Sequence, residues 1–544
     1  MTRPQSFSTP YARSSRPLPW VALLSAFAIL TWFYLPVTRG DFVADDYVFL
    51  ATARMVDTPL AAFWQSHFYE PYYFRPIGVL SWWVLTDLFG LDYASHSLIN
   101  LLLHLANASL LLWLLRALAL STSAIVAGIV LFALGPFALA AILWPSNRFD
   151  LLACGFLLMQ AIAMVRALQG NVFAMPLAML AAVAACWSKE LAYPVATVMA
   201  FAGLAASGVT WPRRATLFTL LGIAIGIAFG VRHAAVVGAY VLASGDPIAQ
   251  IFGGATAMIS SLPRLTELII GADRLPWFGW GLLGALLTAL IWRRSDASEW
   301  NRLLGGATLV FLAACIVQTP LAVAFSPMLD SGPFGTVTFA RFYYAPWLVA
   351  CVVVALVVAR ARLSGLVALT LVAVTVAAAI SAWSLSESFA EWTRNEITPV
   401  AVAATQIVED GAQASETTPC VYVFLGTQAQ HPFFRMFADV TVKARTVTPE
   451  KTWRCYIMTE STPWLFAFPA ALTPVDLPLR TIANPDGTEK SDSVWSSIRY
   501  RYRLPAKDLA ALPGARYFDW RAGDFVEVTD DVRRGELKVK SQDW

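Results

Sequence analysis

Ser97-Leu-Ile-Asn100-Leu-Leu-Leu-His104-Leu-Ala-Asn107-Ala-Ser-Leu-Leu-Leu-Trp-Leu-Leu115 is an uninterrupted run without a formal charge, closed by Arg116. The hydrocarbon core of a bilayer takes about 20 apolar residues per helix, so this run predicts a membrane span. Working outward, comparable runs lie near 18–37, 122–143, 151–167, 172–187, 191–208, 215–231, 275–292, 303–324, 342–359 and 363–383. The expected fold is therefore a polytopic α-helical membrane protein of about eleven spans. Two further apolar stretches differ. Residues 76–90 are short and Trp-rich, and residues 250–270 carry Pro263, Arg264 and Glu267. Both are expected to lie in the interface.

Composition agrees with a bilayer as solvent. Of the 544 residues, 58% are hydrophobic and 14% charged, at a mean hydropathy of +0.59. A soluble domain carries about 25% charged residues, so an ordinary cytoplasmic enzyme is excluded. The net charge of +3 gives no reason to expect a nucleic-acid partner. Residues 1–383 hold 36 of the 75 charged side chains and a single lysine, Lys189, while residues 384–544 hold the other 39. The chain thus divides into an N-terminal segment 1–17, a transmembrane domain 18–383 with a first outer loop 38–96, and a soluble C-terminal domain 384–544.

Basic residues in short loops set orientation. With the N-terminus in the cytoplasm, the inner side receives twelve arginines, among them Arg116, Arg166, Arg213, Arg214, Arg360 and Arg362, against only Asp296 and Glu299. That arrangement predicts a multi-pass protein of the cytoplasmic (inner) membrane with its C-terminal domain extracytoplasmic, on the periplasmic side. No small-residue cleavage site follows the first run, so it reads as an anchor. In the C-terminal domain, Val421–Leu425, Cys455–Met458 and Phe525–Val528 read as strands, and 395–409 and 431–439 as helices, an α/β-type pattern. Cys420 and Cys455 each open a strand on the oxidising side, where a disulfide between them is expected. The other four cysteines lie in predicted spans, where buried thiols are the ordinary outcome.

Polar groups in or beside lipid are costly, so their positions carry information. With this topology the unusual ones gather on the outer face. The first outer loop opens with Asp41-Phe-Val-Ala-Asp45-Asp46. Adjacent carboxylates repel, which raises at least one pKa and suits a general base; helix N-capping is the plainer alternative. Arg75, pinned by Pro76 amid aromatics, can grip a phosphate or snorkel toward headgroups. Trp144-Pro-Ser-Asn-Arg148-Phe-Asp150, Ser188-Lys189-Glu190 and Arg341-Phe-Tyr343-Tyr344-Ala-Pro346 occupy three other outer junctions. Where a cation serves only orientation this chain uses Arg, so the lone Lys189 reads as a specific point charge; a bridge to Glu190 is the structural alternative. His96, Asn100, His104 and Asn107 share one helical face. Interhelical hydrogen bonding accounts for His104 and Asn107, while His96 stands at the outer mouth.

Taken together, these residues resemble the GT-C membrane glycosyltransferases. The resemblance rests on Asp45-Asp46, Phe74-Arg75-Pro76, Leu88-Phe89-Gly90, His96 to His104, Ser146 to Asp150 and Ser188-Lys189-Glu190, in that order over about residues 20–360. The likeness is to the protein O-mannosyltransferase branch, including the transmembrane-and-TPR mannosyltransferases and their bacterial relatives; Arg341-Phe-Tyr343-Tyr344-Ala-Pro346 is similar to that branch's Arg-Tyr-x-Tyr-x-Pro element. The resemblance implies a polyprenyl-phosphate-linked sugar donor in the outer leaflet and an acceptor hydroxyl on a glycan, lipid or protein. It implies Asp45 or Asp46 as base, with Asp45 favoured, and inversion at the anomeric carbon. Arg75, Lys189, Arg341 and Arg148 would hold the donor phosphate, supported by Glu190, His96, Asn100, Tyr343 and Tyr344. No cofactor or metal is required by this scheme, although some relatives use a divalent ion. No TPR repeats follow the membrane domain. A lipid or glycan transporter is the alternative, but transporters carry ionisable groups near the midplane, and the span interiors here are nearly free of charge.

Overall fold

The computed structural model describes residues 17–43, 45–46, 49–50, 53, 59–64, 74–206, 208–235, 247–291, 298–325, 329, 332–413, 420–425, 455–459, 464–467, 480–481, 499–503, 514–522 and 524–539. The chain is mostly helical. In order, the helices are α1 (Leu18–Tyr34), α2 (Pro76–Phe89), α3 (Tyr93–Ala117), α4 (Thr122–Leu134), α5 (Pro136–Ile142), α6 (Arg148–Leu168), α7 (Ala174–Ser188) and α8 (Ala192–Leu204). They continue with α9 (Trp211–Ala235), α10 (Pro247–Ile270), α11 (Leu275–Ile291), α12 (Ser298–Phe325), α13 (Pro333–Arg360), α14 (Ser364–Ser381) and α15 (Trp383–Gln413).

Among the described residues, six helical segments are long and apolar enough to cross a bilayer, and seven if the bent pair α4–α5 is one span. The remaining expected spans fall on shorter apolar helices, α7, α8, α11 and the middle of α12. Both interface stretches are helical as well: residues 76–90 form α2, and 250–270 lie within α10. The bend of 43° between α4 and α5 has a local cause. Pro136 lacks the N–H that would continue the ladder, and Gly135 is extended at φ −67°, ψ 145°. A Cβ at Gly135 would stand 2.3 Å from Trp347 Nε1, so only glycine lets α13 approach there.

Helices in lipid cannot rely on hydrophobic expulsion, and they associate by close packing and interhelical hydrogen bonds. Ala163 and Ala167 of α6 meet Ala178 and Ala182 of α7 in a seam of small residues. Large apolar residues such as Leu24, Leu102, Trp113, Leu180 and Ile227 are exposed on the spanning helices; in a bilayer that surface meets acyl chains. Where the bundle is polar, it is cross-linked. Tyr34 Oη donates toward the carbonyls of Ile142 (2.7 Å) and Ser97 (3.1 Å), tying α1 to α5 and α3. His104 Nε2 faces the Ala133 carbonyl at 3.1 Å, which fixes the proton on that nitrogen, so Nδ1 accepts from Tyr344 Oη at 2.8 Å. Asn107 Nδ2 donates to the Leu151 carbonyl (2.9 Å) and to Tyr344 Oη (3.1 Å). These are the interhelical bonds expected of the α3 stripe.

Helix α15 leads out of the bundle, with Ser386 Oγ donating to the Phe33 carbonyl (2.7 Å) and Trp392 stacked on Phe334. Beyond it, the described strands are β1 (Cys420–Leu425), β2 (Cys455–Thr459), β3 (Trp464–Ala467), β4 (Arg480–Thr481), β5 (Arg499–Arg503), β6 (Ala515–Arg521) and β7 (Asp524–Glu527), followed by α16 (Thr529–Arg533). They form one sheet in the order β4-β5-β3-β2-β1-β6-β7. Strand β1 runs parallel to both β2 and β6, and the other pairs are antiparallel. The backbones of Cys420 and Cys455 are opposite each other in the β1–β2 register; their side chains, and so the expected disulfide, lie outside the described residues. The helix expected at 431–439 also lies outside them.

One glycine controls how α2 seats on the bundle. A Cβ at Gly78 would fall 2.1 Å from Cδ1 and Cε1 of Phe149, a ring that is itself buried. Gly78→Ala is predicted to lower the thermal transition of the detergent-solubilised protein, at a cost of about 1–3 kcal/mol for overpacking. The double variant Gly78→Ala/Phe149→Leu should recover part of it, as read by differential scanning fluorimetry.

Candidate active site

The polar junctions expected on one face do converge at one end of the bundle. After α1 a 3-10 turn, Leu35–Arg39, ends at Gly40. A Cβ there would stand 2.7 Å from Thr393 Oγ1, the atom that accepts from the Asp41 N–H at 3.2 Å. The chain then folds back over the head of α3 and the turn Pro145–Asn147. Asp46 is completely buried. Its Oδ2 accepts from the Val43 N–H at 3.0 Å and its Oδ1 from Ser146 Oγ at 2.5 Å. Trp144 Nε1 points at the Val43 carbonyl, 3.4 Å away. Asp45 and Asp46 are helical, and Asp46 Oδ2 bonds back to the N–H three residues before it, as a first-turn carboxylate does at a helix start, while Oδ1 reaches across to the Trp144–Arg148 junction. Burial pushes its carboxyl up to about 7, against the Ser146 and Val43 hydrogen bonds that hold it down. Asp45, one residue before, is half-buried.

Arg148 opens α6 and is also fully buried. Its Nη2 donates to the His96 carbonyl (2.9 Å), its Nε to Asn100 Oδ1 (3.3 Å), and its guanidinium lies 4.3 Å over the Trp82 ring. Asn100 Nδ2 in turn donates to the Trp144 carbonyl at 2.8 Å. His96 is buried between the rings of Phe42 and Trp82, with Nε2 on the Gly90 carbonyl at 3.1 Å. Arg148, His96 and Asn100 thus form a buried wall on the Arg148 side of Asp46.

The remaining cations form a second group, and each of two has an acid beside it. Arg75 is held at the start of α2, where Pro76 occupies the first helical position without needing an N–H partner. Its Nε is 2.8 Å from Glu190 Oε2 and its Nη2 2.6 Å from the same oxygen. Lys189 sits in an extended break between α7 and α8, φ −160°, ψ 145°, and its Nζ donates to both carboxylate oxygens of Asp150 at 2.5 and 2.6 Å. Burial pushes Lys189 down, Asp150 opposes that, and the nearby positive charges of Arg341 and Arg75 add to it. Arg341, half-buried in α13, lies 5.2 Å from the centre of the Trp144 ring. Tyr343 Oη donates to the Met258 carbonyl at 2.7 Å, binding α13 to α10. Tyr344 belongs to the His104–Asn107 network already described.

The two groups share their walls. Trp144 touches the Val43 carbonyl on one side and Arg341 on the other. Phe149 packs on Phe49 of the first loop and lies 5.4 Å from the Arg75 guanidinium. The partner of Lys189 is Asp150 and not its neighbour Glu190, because the extended backbone at Lys189 points successive side chains to opposite sides. Asp150, Ser146 and Trp144 join the candidate residues here, through Lys189, Asp46 and Arg341, although none was singled out in its own right from the sequence. All three lie in the segment Trp144–Asp150 that the reading did single out. No group of three or more His, Cys, Asp or Glu that could hold a metal occurs among the described residues.

No protein-family model and no curated protein matches the chain. Solved structures do. ArnT from Cupriavidus metallidurans in the apo state is 14% identical at a TM-score of 0.37, covering 80% of this chain and 89% of that one. The oligosaccharyltransferase of Archaeoglobus fulgidus with Zn and sulfate is 15% identical at 0.44, over 77% of this chain and 61% of its own. The same enzyme tethered to an acceptor peptide gives 13% and 0.45, over 82% and 64%. This chain therefore spans less than two thirds of the oligosaccharyltransferase.

Removing one partner of a buried ion pair leaves the other charge uncompensated, at about 3–5 kcal/mol. Lys189→Met and Asp150→Leu are each expected to lower the thermal transition sharply, and the double variant to recover most of the loss. A carboxyl raised in the folded state contributes stability that is complete below its unfolded pKa and lost as pH rises through the folded one. For Asp46 that window runs from about 4 to about 7. Asp46→Asn should flatten the fall in thermal stability across it, measured as the transition temperature against pH.

Proposed function

We propose that the protein is a membrane glycosyltransferase, transferring a sugar from a polyprenyl-phosphate donor to an acceptor hydroxyl, with Asp45 as general base. The observation that carries the reading is the convergence of Arg75, Lys189 and Arg341 with the Asp45–Asp46 pair around Trp144 and Phe149, at one end of a helical bundle. Asp46 is fully enclosed with both oxygens accepting hydrogen bonds, which favours the half-buried Asp45 as the carboxylate that meets an acceptor.

On this reading the acceptor oxygen bonds to the anomeric carbon as its proton passes to the Asp45 carboxylate. The bond from that carbon to the phosphate oxygen breaks and its electron pair leaves with the phosphate. A monoanionic phosphodiester becomes a phosphomonoester, and the charge that develops is met by cations already fixed in place. Arg75 and Arg341 line the mouth, and Lys189 supports them from behind through Asp150. Arg148 acts at one remove, as the buried positive charge facing Asp46. Attack opposite the leaving phosphate gives inversion. Acceptor recognition falls to the C-terminal domain, on the extracytoplasmic side of the inner membrane with the N-terminus in the cytoplasm.

The test is incubation of purified protein with labelled polyprenyl-phosphate sugars, following release of polyprenyl phosphate. Asp45→Asn is expected to lower turnover by about 10²–10⁴-fold, the range of a lost general base, with donor affinity kept. Arg75→Ala should raise the donor KM. Full turnover in Asp45→Asn removes the assignment of the base, and a cytoplasmic signal from a C-terminal reporter overturns the orientation.

A further inference from the structure

The two ion pairs at the mouth are not equivalent, and the difference bears on how a phosphate enters and leaves. The Lys189 and Asp150 side chains are 9% and 2% exposed, whereas those of Arg75 and Glu190 are 15% and 24% exposed. The first pair is locked inside the bundle. The second lies at its opening, where an incoming anion can exchange with the Glu190 carboxylate for the Arg75 guanidinium. The charged side chains that converge here are Arg75, Lys189 and Arg341 against Asp150 and Glu190, with Arg232 near enough to act, like Glu190, on Tyr193. Ionised Glu190 thus lowers the net positive charge of the mouth by one.

We propose that Glu190 is a specificity-determining residue that competes with the lipid phosphate for Arg75 and so disfavours the phosphomonoester product relative to the phosphodiester donor. This rests on the donor reading above and deepens it. The donor phosphodiester carries one negative charge. After transfer, the monoester has a second pKa near about 6 and carries a charge of about −1.5 to −2 at neutral pH. Both species require Arg75, but the product brings the greater negative charge to within reach of a fixed carboxylate. Like charges so placed repel, and in a site of reduced dielectric that repulsion is stronger than in water. Glu190 recaptures Arg75 as the product departs, so the resting ion pair restores the site for the next donor. The locked Lys189–Asp150 pair holds its backbone in place throughout, since Lys189 and Glu190 are adjacent at the break between α7 and α8.

The experiment measures binding of two probes to the full-length protein in detergent at pH 8. These are farnesyl phosphate, a monoester, and methyl farnesyl phosphate, a monoanionic diester. In the wild-type protein the diester should bind at least as tightly as the monoester. Glu190→Gln, which keeps the shape and a hydrogen bond to Arg75, should tighten monoester binding by about tenfold and diester binding by much less. Glu190→Asp, which keeps the charge, should retain the wild-type preference. An unchanged monoester-to-diester ratio in Glu190→Gln overturns the assignment to Glu190 while the donor reading stands. Failure of the wild-type protein to bind either probe overturns the donor reading, and this inference with it.

Discussion

The buried pair between Lys189 and Asp150 is the constraint on which the polar end of the bundle depends. An ammonium and a carboxylate placed in a medium of low dielectric are each several kcal/mol unfavourable unless they meet with good geometry. Here both carboxylate oxygens take a hydrogen bond from Nζ. That contact fixes the start of α6 against the break between α7 and α8. Phe149 and Glu190, the neighbours of its two members, are thereby oriented toward the mouth, and through them so is Arg75. A pair that contributes little net stability can still specify an arrangement, because most other packings would strand one of the charges.

The Trp144–Arg148 turn distributes that order to the rest of the site. Trp144 and Ser146 hold the first loop through Val43 and Asp46. Arg148 reaches back to the head of α3 at His96 and Asn100. The same five residues therefore touch the loop that carries the proposed base, the helix behind it and, through the Trp144 ring, Arg341. The indole serves as a shared wall: its N–H is used on one side and its π face on the other.

Much of this was legible in the sequence because bilayers impose a simple rule. A polar or charged residue in or beside a span needs a reason, so the lone lysine, the Asp45–Asp46 pair and the α3 stripe could be picked out from composition alone. The pairings could not. For Lys189, read as a specific point charge, sequence adjacency offered only Glu190 as a structural partner, whereas the extended backbone separates them and crosses the two ion pairs between elements distant in the chain. Which aspartate is enclosed was equally unreadable, since Asp45 and Asp46 differ by one position and only the fold of the loop onto Ser146 decides it. Helix lengths were blurred for another reason. A hydropathy run through 122–143 cannot show a bend produced by Gly135, Pro136 and the approach of Trp347.

The arrangement also explains why acids stand beside cations at a site proposed to bind phosphate. A cluster of bare cations at the edge of a low-dielectric bundle would repel itself, and its members would shed protons or swing into solvent. Lys189 feels this directly, being pushed down by burial and by Arg341 and Arg75. Asp150 counters it permanently from inside, and Glu190 counters it at the opening, where exchange with a ligand anion costs less because water still reaches both partners. Depth therefore sorts the two carboxylates into different tasks. The inner one maintains the site's shape, and the outer one holds a guanidinium at the opening, which on the proposed reading an incoming anion can take.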